Sequence, residues 1–497
     1  MAVLGPVQKE FFRRLAKIPA HGLGLSVDVY SPDLTSLRRA LQEGQVPPGY
    51  LEVFRATQTA LASVRKQAGS AFLTYHGEGL WLTQPEAADD PLFRQEVCEV
   101  AGHLQTLQSA WLNHECATKY MAGYAYGTYL PPLYTSSSAQ VVADNTLLLQ
   151  SLLDRLCALP AGSAPLVLLE MPPLTYFVAG TLTIPKFFGV VTEKVPCGLV
   201  LDIGHLWTVF RYTGAWRTTS LAQFTDAFLA EFPVDRIVEI HVAGLAVHES
   251  GSGIPGEPAD ASQTDYLPAW TDAHAAPIPP VLFDMLDQVL SHPRLTSLKG
   301  LALEVDTKEI GLIVDEFARF TRRYAAAVQS AKHGSTITDE GSVRPIEREP
   351  VSSSARQALD ETYDHYARVV SGRAEPEGPE WNPRTACIDD LDRYRRVYLP
   401  YEILRWGGDV EAMFPDSCRR LRECHVPLSR FVSFWFREPR PLSGSYDFFL
   451  LKIERFLEFV REAAPEISDT AGREADELRH AYHSANEPAV ETASEPA

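Results

Sequence analysis

Between residues 20 and 330 the chain repeats one unit eight times: a short apolar strand, a loop, then a helix-like stretch. The strands read as Gly22–Val29, Tyr50–Phe54, Ala71–Gly77, Ala110–Cys116, Leu166–Met171, Gly198–Leu206, Arg236–Gly244 and Gly300–Asp306. Stretches such as SLRRALQEG, YLEVFRATQTALASVRKQ and DNTLLLQSLLDRLCAL lie between them and carry helical periodicity. Alternation of this kind is the signature of a (β/α)8 TIM-type barrel. A doubly wound sheet is the alternative, but no GxGxxG turn follows any early strand.

The repeat stops near residue 332. Residues 333–354 are polar and aperiodic, the pattern of a linker. Residues 355–466 read as a smaller, mostly helical C-terminal domain. In FFLLKIERFLEFV, Phe449, Ile453, Phe456, Leu457 and Val460 fall on one helix face, which must pack on the domain's other helices. Residues 467–497 are acidic and poor in large apolar groups, so a frayed helix and then a disordered tail are expected.

A formal net charge of -19 argues against a nucleic-acid partner, which needs a basic face. No apolar run reaches the about 18 residues of a membrane span. The N-terminal MAVLGPVQKEFFRRLAKIP lacks the apolar core of a secretory signal. The seven Cys are dispersed without a CxxC pair, which reads as reduced thiols in a cytoplasmic protein.

The sixth strand, in CGLVLDIGHLWTVF, is apolar as if buried on both faces, yet it carries Asp202 with His205 just beyond. A carboxylate there is costly unless paired, hydrogen-bonded or bound to a metal. Barrel chemistry sits where strands end. Those positions add His76, His114, Glu170, His241, Asp272, His274 and Glu304. Any one of them reads as easily as a satisfied core residue. Gathered at one mouth, so many carboxylates repel unless cations offset them, and bound metal is the simpler explanation. Mixed imidazole and carboxylate ligands suit iron, manganese or zinc. Nine candidates exceed one tetrahedral site, so two or more metals fit better, with Glu170 as the bridge.

Successive fragments, "TYHGEG", "NHECATKYMAG…YLPPLYT", "LLEMPP", "GLVLDIGH", "RIVEIHVAG", "TDAHAAPIP" and "LALEVD", resemble in order the motifs of the multinuclear non-heme iron-dependent oxidative enzymes. That family includes the methanobactin-biosynthesis oxidase. The resemblance implies a barrel with two or three irons that uses O2 to modify cysteine or other residues of a ribosomally made precursor peptide. It implies His76, His114 and Glu170 as ligands of one iron, and Asp202, His241, Asp272, His274 and Glu304 as ligands of the others. The chain departs from the family pattern at Met171, at Asp202-Ile203-Gly204-His205, and at Ala276 in place of a second loop His. These departures bear on the third metal, and His205 stands where it could replace a lost ligand. In the C-terminal domain, "MFPDSCRRL" and "FVSFWFREPRPLSGSYDFFLLKIERFLEFV" are similar to the helical partner proteins that deliver the peptide. If this domain does not bind the leader, a separate partner protein is implied.

Tyr124, Tyr126 and Tyr129, with Tyr120 and Tyr134, crowd the loop after the fourth strand and are expected to line a peptide groove, the alternative being a loop packed on itself. HESGSGIPGEPADASQ, after the seventh strand, reads as a lid or an idle insertion. Cys116 reads as a reduced core cysteine. Two further functions stay open on the residues alone. One is a redox-neutral two-metal hydrolase or sugar isomerase, since "LDIGH" and "EIHVAG" also resemble xylose-isomerase-like barrels. The other is a degenerate barrel that only binds a partner.

Overall fold

Eight parallel strands close on one another in the computed structural model, which describes residues 4–157, 164–174, 176–247, 270–330, 349–381 and 388–486. In chain order the strands are β1 (Gly22–Val27), β2 (Tyr50–Phe54), β3 (Phe72–His76), β4 (Trp111–Glu115), β5 (Thr118–Met121), β6 (Tyr124–Leu130), β7 (Leu166–Glu170), β8 (Gly198–Asp202), β9 (Ile237–Val242), β10 (Leu245–Val247), β11 (Trp270–Asp272) and β12 (Gly300–Glu304). The barrel runs β1-β2-β3-β4-β7-β8-β9-β12 and back to β1. β5 pairs with β6, and β10 with β11, as antiparallel ribbons above the barrel's C-terminal mouth. The (β/α)8 class follows from the alternation, and each barrel strand lies inside an expected one. One boundary moves: the sixth strand stops at Asp202 and Ile203–Tyr212 is a helix. The Asp202 side chain accepts the His205 N–H at 2.6 Å, capping the helix N-terminus and starting it early.

The barrel floor is plugged by the helix Pro6–Leu15, whose Phe11 and Leu15 join Tyr50, Trp111, Leu168 and Val200 in an apolar layer. Tyr50 fills the interior so fully that a Cβ at Gly24 would lie 2.3 Å from its ring, and one at Gly300 2.5 Å from its hydroxyl. Only glycine fits at either place.

The C-terminal region is helical and packs directly on the mouth. Ser353–Val370 lies against the segment after β6: Tyr363 Oη accepts the Leu133 N–H at 3.2 Å, and Tyr366 Oη donates to the Pro131 carbonyl at 3.0 Å. Ile388–Arg393 runs through a wider π-turn, Tyr394–Tyr398, into Leu399–Arg405. Buried Glu402 there accepts from the Gly127 N–H and, at 2.8 Å, from the Thr128 hydroxyl, both on β6. Trp435 Nε1 donates to the Ala125 carbonyl at 2.8 Å. In Phe448–Ala463 the expected face is inward: Ile453, Phe456 and Val460 are fully buried, and Phe456 stacks on Phe414 at 4.2 Å. Residues 467–497 begin with the expected helix, which is packed rather than frayed. Ser468–Asn486 is a helix that buries Ala471 and Ala475, small residues that allow close packing, and Glu474 accepts from the Asp416 and Ser417 N–H groups. Residues 487–497, most of the expected linker and the expected lid segment lie outside the described residues.

Tyr363→Phe leaves the buried Leu133 N–H without its acceptor. The expected cost is about 1–3 kcal/mol, read as a lower urea midpoint at unchanged slope; an unchanged midpoint would show that this contact does not hold the two regions together.

Candidate metal centre

Strand alternation sorts the side chains into layers inside the barrel. The lowest polar layer holds Glu239, whose two oxygens accept from Tyr50 Oη at 2.6 Å and Trp111 Nε1 at 2.8 Å. Above it lie Glu52, Asn113 and His241, and at the rim His76, Glu115, Glu170, Asp202 and Glu304. β11 and the loop behind it bring Asp272 and His274 to the same rim, and the segment after β12 brings Asp306.

Glu170 sits at the centre, 1% exposed. Its Oε2 accepts from Asn113 Nδ2 at 2.7 Å and lies 3.2 Å from His76 Nε2. Its Oε1 lies 3.5 Å from His241 Nδ1 and 3.6 Å from His205 Nδ1. His241 Nδ1 is also 3.2 Å from Glu304 Oε1, while its Nε2 is 3.1 Å from Glu52 Oε1. His274 Nε2 stands 3.0 Å from Asp272 Oδ2 and 3.2 Å from Glu304 Oε2, its Nδ1 3.0 Å from Asp306. His205 donates from Nδ1 to the Met171 carbonyl at 2.6 Å, which turns Nε2 toward Asp272 Oδ2 at 3.4 Å. Gly204 makes room: a Cβ there would lie 2.9 Å from Asp272 Oδ1 and 3.1 Å from Asp202 Oδ1.

Among the described residues, three groups bring ligand atoms close enough for one ion each: Glu170, Asp202 and His241; Asp272, His274 and Glu304; and the deeper Glu52, Glu239 and His241. The first two fit a metal. His76 Nδ1, Asp202 Oδ2, His241 Nδ1 and Asp272 Oδ1 are buried with no hydrogen-bond partner, and the donors are mixed imidazole and carboxylate. The third is a support layer, because both Glu239 oxygens are already taken by Tyr50 and Trp111.

Electrostatics match a demand for positive charge. Burial pulls the His76 imidazole down, but the bond to Glu170 and the charges of Glu115 and Glu52 outweigh it and hold its pKa up at about 10. His205, His241 and His274 are raised well above the ordinary value in the same way, against burial. Burial, then the charges of Asp272, Glu304 and Glu170, push the Asp202 carboxyl up, with His205 opposing.

Eight of the nine expected ligand positions thus meet at one mouth. His114 does not. Its Nδ1 bonds the Glu115 carbonyl at 2.8 Å and its Nε2 accepts the Leu80 N–H at 3.2 Å, so both nitrogens are engaged by backbone. In β4 the inward positions are Asn113 and Glu115, and His114 points the other way. Alternation along LNHEC puts the two on opposite faces without saying which face is inward, and Glu115, Asn113, Glu52 and Asp306 are the site groups the strand-end reading missed. The tyrosines divide similarly. Tyr126 is fully buried, bonds the Ala367 carbonyl and packs on Phe436; Tyr124 bonds Arg373. Both serve the contact with the C-terminal helices rather than a groove. Tyr129 alone of the three lines the mouth, its hydroxyl 3.3 Å from Glu78 Oε1. Cys116 is buried, its thiol pushed up by burial, as expected of a core cysteine.

The chain matches the family described as RiPP precursor modification enzyme MbnB/TglH/ChrH over residues 20–322. The chain belongs to that family. A UPF0276 protein of Anaeromyxobacter sp. (strain Fw109-5) is 23% identical over 332 residues, 65% of this chain and 98% of the relative. A UPF0276 protein of Paraburkholderia phytofirmans is 25% identical over 193 residues, 37% of this chain. This second relative and the next two are matched over only about half their own length. Among solved structures, endonuclease IV from Thermus thermophilus is similar at 16% identity and TM-score 0.33, covering 62% of this chain and 99% of that one. D-psicose 3-epimerase from Clostridium cellulolyticum is similar at 9% and 0.32, covering 63% and 99%. Likeness at that level carries no argument about chemistry. Among the described residues no helix is long and apolar enough to cross a membrane.

Burial pulls the His114 pKa down to about 4, so the fold holds it neutral. Its folded value lies below the unfolded one, so its contribution is complete above about pH 6.5 and lost as pH falls toward 4. His114→Gln should lack that loss. Urea midpoints at pH 7 and pH 5 check it; the same pH dependence in both proteins would contradict a neutral, backbone-bonded His114.

Proposed function

We propose that this family member is a multinuclear iron-dependent oxidase that uses O2 to modify a residue, most simply a cysteine, of a ribosomally made precursor peptide in the cytoplasm. The observation that carries the reading is the convergence of eight imidazoles and carboxylates, six of them lining a cavity of about 720 Å³ and several with unpartnered buried atoms. His76, Glu170, Asp202, His205, His241, Asp272, His274 and Glu304 would hold two or three irons. Iron, when bound, supplies the redox chemistry with O2 and favours the thiolate form of a substrate cysteine.

The protein's own groups set the geometry. Asn113 fixes one oxygen of Glu170, Glu52 faces His241 Nε2, the Met171 carbonyl fixes His205, and Asp306 faces His274 Nδ1. Such supports hold ligand rings in one orientation and tautomer. The C-terminal helices cover one side of the cavity and limit water there. Their similarity to peptide-delivering partners supports a role in holding the precursor, where fusion raises its local concentration; a separate partner protein takes that role otherwise.

Elemental analysis of anaerobically purified protein, with Mössbauer spectra of an iron-57 sample, is expected to give two or three irons per chain. Zinc or manganese with iron near zero would replace this reading with a redox-neutral one, and no metal would leave a binding scaffold. Glu170→Gln and Asp202→Ala should lose iron while circular dichroism is unchanged, whereas His114→Gln should keep it. Glu52→Gln should weaken metal affinity by about 10–100-fold; wild-type affinity in that variant would remove Glu52 from its supporting role.

A further inference from the structure

The cavity is mixed in character. Its lining carries acids and imidazoles together with Phe54, Pro173, Leu174, Tyr398, Tyr401 and Trp406, and Phe54 packs on His76 at 4.8 Å. The last three come from the C-terminal region, so it forms part of the cavity wall rather than standing apart. The cation in the lining, Lys119, is engaged by Glu78 at 2.5 Å and lies 4.3 Å over the Tyr129 ring.

Trp406 is the unusual member. It is 48% exposed, although an indole gains much from burial. Its backbone is nevertheless fixed. Its N–H donates to the Glu402 carbonyl at 3.1 Å, and its carbonyl accepts from Lys452 Nζ. Lys452 is fully buried and also donates to the Gly408 carbonyl at 2.7 Å. The chain turns away at once through Gly407 (φ +61°) and Gly408 (φ +122°), conformations that favour glycine. A buried ammonium and two glycines therefore hold an exposed indole at the rim. Tyr398 ends the π-turn, an irregularity common at functional positions.

Resting on the reading that a peptide enters this mouth, we infer that Trp406, with Tyr401, is a substrate platform that selects an apolar or aromatic residue beside the one to be modified. The side chains beside it in the lining are apolar, the lining's lysine is engaged, and carboxylates line the same cavity, so an acidic flanking residue is disfavoured. A flanking ring lies on the indole and covers surface that is otherwise wet.

The test is calorimetric titration of the iron-loaded full chain without O2, using acetyl-Gly-Phe-Cys-Gly-amide and acetyl-Gly-Gly-Cys-Gly-amide. The Phe peptide is expected to bind about three- to tenfold tighter. Trp406→Ala should abolish that preference with iron content and urea midpoint unchanged, and Trp406→Phe should restore part of it. Equal binding of both peptides, no binding of either, or a preference that survives Trp406→Ala overturns the inference. So does a Trp406→Ala chain that changes its sedimentation, which would make the indole a contact between copies. Failure of the oxidase reading is separate: a bound Phe peptide with no O2 uptake on aeration would sink that reading and leave the platform standing.

Discussion

The carboxylate of Glu170 is the constraint around which the upper barrel is arranged. A buried charge of this kind persists only if hydrogen bonds and opposite charge surround it. Burial acts to raise its pKa, but His241 and His76 outweigh burial and hold it well below the usual range. Those partners come from β9 and β3, on opposite sides of the barrel, and Asn113 arrives from β4 between them. Closure of the sheet turns the side chains of β3 and β9, neither paired with β7, onto the one carboxylate, while Asn113 comes from the neighbouring strand. An open sheet with the same residues could not do so.

The same logic explains the depth of the polar interior. Rim acids alone would leave His241 free to rotate; a second layer with Glu52, resting on a third in which Glu239 is saturated by Tyr50 and Trp111, prevents this. Below that the interior turns apolar and the N-terminal helix seals it. The barrel is thus graded from a dry floor to an acidic mouth.

The C-terminal helices are bound to this mouth through the β5–β6 ribbon. Glu402, Trp435 and Tyr446 each satisfy a backbone or hydroxyl group of β6. Because that ribbon also carries Tyr129, and Leu399–Arg405 leads directly to Trp406, the contact between the two regions and the wall of the cavity are one structure. Removing the C-terminal region would expose the ribbon's apolar face as well as open the cavity.

The sequence by itself determined the eight-strand alternation, where each strand begins to within a residue, and the helical character of the C-terminal region, since these depend on local periodicity and on apolar runs. It also singled out Asp202 as an acid too costly to leave unexplained; the explanation is a helix cap combined with membership of the acidic cluster. Two matters were decided only by tertiary structure. One was which member of an adjacent pair faces inward: His114 and Glu115 differ by one residue of register, and only barrel closure shows that the acid enters the site while the imidazole bonds backbone. The other was the fate of the tyrosines and of Trp406. Whether an aromatic residue lines a groove or fills an interface depends on what packs against it from hundreds of residues away, and no local pattern in the chain encodes that.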